Sequence, residues 1–122
     1  MNSEYLRMTT KSSDFDEILL GSIDEALLSL GEQARQSIYI HIEKNYKVNR
    51  QAIPKELESF QIALEKIFGV GARFIEILIM KHLYAKVGCS LSFERNAQLE
   101  FLLYVEAAKQ VFMKKCRNGI DC

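Results

Sequence analysis

The stretch Glu32-Gln33-Ala34-Arg35-Gln36-Ser37-Ile38-Tyr39-Ile40-His41-Ile42-Glu43-Lys44-Asn45-Tyr46 decides the fold class, because it can be read with two periods. Ala34, Ile38, Ile42 and Tyr46 recur every four residues, as on one face of an α-helix, whereas Ile38, Ile40 and Ile42 alternate over residues 37–43, as in a strand. A strand here would make the protein a mixed one. The four-residue stripe runs through most of the segment and the alternation does not, so the spacing predicts a helix over 32–46 and an all-α chain.

Working outward, Gly31 marks a break before this helix. Upstream, Phe15, Ile18, Leu19, Ile23, Leu27 and Leu30 follow at helical spacing, with Ser13 as the expected N-cap. Asp14, Asp16 and Glu17 would then put negative charge in the first turn, where the helix dipole favours it. Gly21 is expected to weaken or split this segment, and residues 1–12, poor in apolar side chains, to form a flexible arm.

Downstream, residues 44–50 read as a polar connection. Pro54 suits the first turn of a helix whose stripe is Leu57, Phe60, Ala63, Leu64, Ile67 and Phe68. Gly69-Val70-Gly71 ends that helix and turns the chain. Ala72 to Val87 is apolar on nearly every side between Phe74 and Met80, broken only by Glu76, which predicts the central buried helix. After Gly88, Ser92 to Cys116 is the longest periodic segment, with Asn118-Gly119 able to close it. The expected architecture is a compact bundle of about five helices with a long C-terminal helix, one domain over 13–117 and a tail over 118–122.

Composition agrees with a single globular domain. Of 122 residues, 48% are hydrophobic, and 16 basic side chains balance 16 acidic ones, which argues against bulk electrostatic attraction to nucleic acid or anionic membrane. The longest strongly apolar run, Ile77 to Met80, is far too short to span a bilayer, so no membrane contact is expected. The start, Met1 to Arg7, lacks the apolar core of a signal peptide, and Cys89, Cys116 and Cys122 have no metal or disulfide spacing. The expectation is a cytoplasmic protein with reduced thiols.

Catalytic chemistry finds no foothold. His41 and His82 match no zinc or di-metal spacing, no Glu-x-x-His pair stands on a helix, and neither a P-loop nor a nucleophile elbow occurs. No catalytic residue, metal ligand or cofactor is expected, and the chain is read as a non-enzyme. Gly69-Val70-Gly71 between two helices, followed by Arg73, has the layout of a helix-hairpin-helix turn that holds a nucleic-acid phosphate on backbone N–H groups. A plain tight turn would use the same residues, and is the favoured reading, since Phe68 and Ile75 stand where that motif usually has proline and a small residue. Lys44, Lys47, Arg50 and Lys55 cluster around one loop with Tyr46 available for stacking, so nucleic acid is the alternative partner and Gly69, Gly71, Arg73 and these four its candidate contacts.

The C-terminal helix carries a second apolar side, Leu99, Leu102 and Leu103, besides its main stripe of Ala97, Phe101, Tyr104, Val105, Ala108, Val111 and Phe112. That side must be buried either within the bundle or against a second subunit, so these leucines are the candidate protein interface of a homodimer.

Ser29-Leu30-Gly31-Glu32, Ile40-His41-Ile42-Glu43-Lys44, Ile53-Pro54 and the run from Ala63 to Leu78, with Phe68-Gly69-Val70-Gly71-Ala72 its most specific part, resemble a family of small archaeal helical proteins described as a Nitrososphaera-type output domain. The likeness covers roughly residues 15–88. Members of that family occur alone or attached to sensory signalling proteins, with no catalytic residues to carry over. The resemblance implies an all-α archaeal protein that acts by binding. The functional expectation is a non-enzymatic protein–protein interaction module, a signalling output or adaptor domain, whose protein partner the sequence does not identify.

Overall fold

A computed structural model describes residues 3–89 and 100–117, with side chains over 13–89 and 100–116. Among the described residues five α-helices follow in order: α1 Ser3–Leu28, α2 Glu32–Tyr46, α3 Leu57–Phe68, α4 Ala72–Val87 and α5 Phe101–Arg117. Two 3₁₀ segments, Arg50–Lys55 and Gly69–Gly71, flank α3, and no strand occurs among the described residues. The protein is an all-α bundle.

The two periods of residues 32–46 are resolved by burial. Ile38 and Ile42 are buried while Ile40 is 57% exposed, so the four-residue stripe faces the core and the alternation breaks at its middle residue. The helix is capped at its C-terminal end by Lys47 in the left-handed region, whose N–H donates to Glu43 O at 3.1 Å.

Helix α1 departs from expectation. It runs unbroken from Ser3, so Ser13 lies inside the helix rather than capping it, and residues 3–12 continue the helical backbone where an arm was expected. Gly21 does not split it. Phe15, Leu19, Ile23 and Leu27 form one buried line at four-residue steps, and burying such a line outweighs the roughly 1 kcal/mol that a mid-helix glycine costs.

Pro54 does not open the helix that follows it. It lies in the 3₁₀ segment, and α3 starts only at Leu57. Asn49 captures the Ala52 N–H with its side chain at 3.0 Å, which starts the tighter turn, and Ile53 is fully buried beneath it. The residue before a proline is also disfavoured in α-helical conformation.

Helix α4 is the central element, packing against α1 and α5, while α1 also meets α2 and the first 3₁₀ segment. Ile79, Met80 and Leu83 of α4 are fully buried with Phe60 and Leu64 of α3 and Phe101 of α5. Each such side chain contributes about 1.5–3 kcal/mol of transfer free energy. Phe15 and Phe112 meet at a 5.9 Å centroid distance, joining α1 to α5. Tyr84 donates its hydroxyl to Tyr104 O at 2.8 Å, and Lys115 Nζ donates to Val87 O and Gly88 O, placing a cation on the carbonyl end of α4.

Asp24 ties α1 to its neighbours. Arg50 grips its carboxylate with Nε on Oδ1 at 3.1 Å and Nη2 on Oδ2, Tyr39 donates to Oδ1 at 2.5 Å, and Arg35 stands 3.7 Å away. Burial pushes this carboxyl up, but the hydrogen bonds from Arg50 and Tyr39 and the two guanidinium charges more than offset it and hold it below the usual carboxylate range. Among the described residues no helix is long and apolar enough to cross a membrane.

Candidate functional site

At the junction of α3 and α4, polarity is exchanged between inside and outside. The first two turns of α4 bury Glu76, which is 5% exposed, and leave Phe74 71% exposed. Val70, in the turn just before, is 96% exposed. Phe74, in the run expected to be buried, faces solvent at the end of α4 where the chain turns.

The turn itself needs one glycine. Gly69 has φ 59° and ψ −131°, a combination that a Cβ strains, and its N–H donates to Glu65 O to close α3. Gly71 has φ −69° and ψ −16°, open to any residue, and a Cβ there would meet Phe68 Cβ at an ordinary 3.7 Å. A phosphate cradle would use both glycines for close backbone approach; a turn requires only the first.

Val70 and Arg73 line a groove of about 430 Å³ together with Gln61, Glu65 and Glu76. Gln61 Nε2 donates to Glu76 Oε1 at 3.0 Å. Burial raises the Glu76 carboxyl above its ordinary range; the Gln61 bond opposes the shift, the Glu65 charge adds to it and the Arg73 charge reduces it. Two carboxylates beside the N-terminus of α4 oppose the anion that its orphan N–H groups would otherwise attract.

The basic loop is divided by the fold. Lys44 and Lys47 line a separate groove of about 460 Å³ with Ile40, Glu43 and Asn49. Arg50 is turned inward onto Asp24, and the Lys55 charge acts on Asp16 of α1. Tyr46 is half-buried against the core rather than presented for stacking. The groove at Gly69–Arg73 and the groove at Lys44–Lys47 share no lining residue.

No family model, no curated protein and no solved structure matches this chain.

The candidate interface on α5 also separates. Leu102 is half-buried and packs against the chain's own core, Leu103 is 65% exposed, and Leu99 lies outside the described residues. On the same side Gln110 donates to Glu106 at 2.8 Å. His82 Nδ1 lies 2.8 Å from Glu25 Oε2, next to the Lys86–Glu25 pair at 2.7 Å, and His41 pairs with Asn45 on an exposed face. Among the described residues no group of three His, Cys, Asp or Glu side chains is placed to hold a metal ion. Sequence reading missed Val70, Phe74, Gln61 and Glu76 as a site. The signal was the lone charge in the apolar run from Phe74 to Met80, which periodicity treats as an interruption.

Proposed function

We propose that this chain is a non-enzymatic protein–protein interaction module of the cytoplasm whose contact end is the α3–α4 corner. The observation that carries the reading is the exposure of Val70, on the Gly69–Gly71 turn, and of Phe74, in the first turn of α4, two residues from the buried carboxylate of Glu76. Apolar side chains left in water at a fixed place forfeit transfer free energy that a partner recovers, and buried aromatics dominate contact energies. The role of signalling output or adaptor is part of this proposal and rests on the likeness read in residues 15–88 alone.

The test is capture from a nuclease-treated archaeal lysate on the immobilised wild-type chain and on a Val70→Ser/Phe74→Ser variant. A protein retained by the wild type and lost from the variant is expected. Equal retention by both, or recovery only when nuclease is omitted, overturns the assignment; the second outcome would favour nucleic acid at Arg73, Lys44 and Lys47.

Self-association through α5 is a second reading, supported by the exposure of Leu103. In it the chain is a homodimer, and Leu103→Glu gives a monomer by light scattering without loss of helix. An unchanged mass sinks it. Leu102→Glu is the wrong probe, because a charge there enters the chain's own core.

A further inference from the structure

The interaction reading leaves the chemistry of the partner open, and the groove beside Val70 narrows it. Glu76 is a carboxylate with two oxygens and room for several donors, yet among the described residues only Gln61 reaches it, and on one oxygen alone. Among the described residues its other oxygen has no hydrogen-bond partner, and it is not among the fully enclosed unpartnered atoms. The groove is the open space that Glu76 lines. A neutral amide on one oxygen is poor compensation for a charge this deep.

The other charges of the groove do not supply the missing partner. Arg73 lines it three residues before Glu76 but makes no ion pair with Glu76 or Glu65 among the described residues, although the spacing allows one. Glu65 adds a second carboxylate, so the groove carries two negative charges against one positive. An anion is repelled, and two carboxylates fall short of the donor set a metal ion needs. A cation on a long apolar stem fits: its methylenes lie along Val70 while its head group donates to Glu76. A small free cation would leave Val70 and Phe74 in water, whereas the same cation borne on an apolar stretch of polypeptide covers both.

We infer that the α3–α4 groove receives a lysine or arginine side chain from an apolar segment of a partner protein, the cation meeting Glu76 and the flanking apolar residues covering Val70 and Phe74. This rests on the interaction-module reading and adds the charge of the partner to it. Arg73 is then the internal competitor for the same carboxylates, which gives the inference a sign: removing Arg73 strengthens binding, and neutralising Glu76 weakens it. A partner of opposite charge, an acidic peptide or a nucleic acid, reverses both signs.

The experiment is selection from a displayed library of random peptides on the full chain, followed by titration of the most enriched peptide, made synthetically, against four variants. Enriched sequences are expected to carry Lys or Arg among apolar residues. Affinity should fall roughly tenfold or more in Glu76→Gln, as for loss of a hydrogen bond to a charged group. It should fall less in Glu65→Gln, rise in Arg73→Gln and be lost in Phe74→Ser. Glutamine keeps the shape of Glu76, and Glu65 and Arg73 are exposed, so at least two variants report on binding in a folded chain. Peptides that need Phe74 but carry no cation, or that ignore Glu76→Gln, overturn this inference and leave the contact end standing. Enrichment of acidic peptides weakened by Arg73→Gln overturns it as well. If no enriched peptide depends on Phe74, the interaction reading falls with it.

Discussion

Asp24 and Glu76 are both carboxylates carried into the protein by a helix, and their surroundings differ. Asp24 receives a two-nitrogen grip from Arg50, a hydroxyl from Tyr39 and the nearby charge of Arg35, and it is held below the usual range. Glu76 receives one amide hydrogen and is pushed above the usual range. The first has its donors on α2 and on the 3₁₀ segment, so its charge holds three elements together. The second is more deeply buried and less well met, and it opens on a groove. A fully met charge does structural work; a poorly met one beside exposed apolar residues is where a binding surface is expected.

The largest effect should come from breaking the well-met partner. Asp24→Ala leaves Arg50 and Tyr39 without their acceptor, and should destabilise the fold by about 2 kcal/mol in urea titrations followed by circular dichroism. The loss has a pH signature. Because folding lowers the Asp24 pKa, its contribution is present above the unfolded value of about 3.9 and disappears as pH falls through the folded value. Wild type and variant should therefore differ fully at neutral pH and converge in acid. A constant difference down to acid pH would mean that the charge is not what binds these elements.

A smaller effect separates the two glycines of the corner. Gly69→Ala forces a Cβ into a backbone region reserved for glycine and should cost about 1–2 kcal/mol, although nothing crowds the site. Gly71→Ala should be neutral or slightly stabilising, because its backbone is already helical. If Gly71→Ala leaves stability untouched but abolishes binding to a nucleic acid, the corner is a phosphate cradle after all and its comparison with Asp24 loses its point.

The contrast also marks how far the sequence is readable. Helix α2 and helix α4 have the bounds their periodicity predicts, since a stripe that extends through a segment leaves one way to bury it. The start of α1 is not legible, because Ser13 and the acids after it satisfy the rules for an N-terminus equally well in the middle of a helix, where Ser13, Asp14 and Glu17 face outward. Pro54 misled because a proline-led 3₁₀ turn and a proline-led helix share their first residues. The candidate contacts fared by a different logic. Charge clusters are one-dimensional facts, and only tertiary placement shows Arg50 turned onto Asp24 and Tyr46 laid against the core. Whether a lone glutamate in an apolar run is buried or snorkels out depends on the helix packed across from it, and here Gln61 of α3 supplies the answer.

The smallest effect bears most directly on the comparison. Glu76→Gln keeps the shape and the contact with Gln61 while removing a charge that burial disfavours, so at neutral pH it should stabilise the fold, by less than about 1 kcal/mol. Folding raises the Glu76 pKa, so the Glu76 contribution is most favourable below the unfolded value of about 4.3 and is lost as pH rises through the folded value. The gain from Glu76→Gln should shrink to nothing as pH falls to about 4.3, whereas Asp24→Ala should converge on wild type from the opposite side only at lower pH, below about 3.9. Thermal melts of the three chains between neutral and acid pH check both trends in one series. A residue whose replacement stabilises the fold yet weakens binding is kept for its partner. If Glu76→Gln destabilises at neutral pH, Glu76 belongs with Asp24 as a structural carboxylate, and the groove loses its claim to a cation.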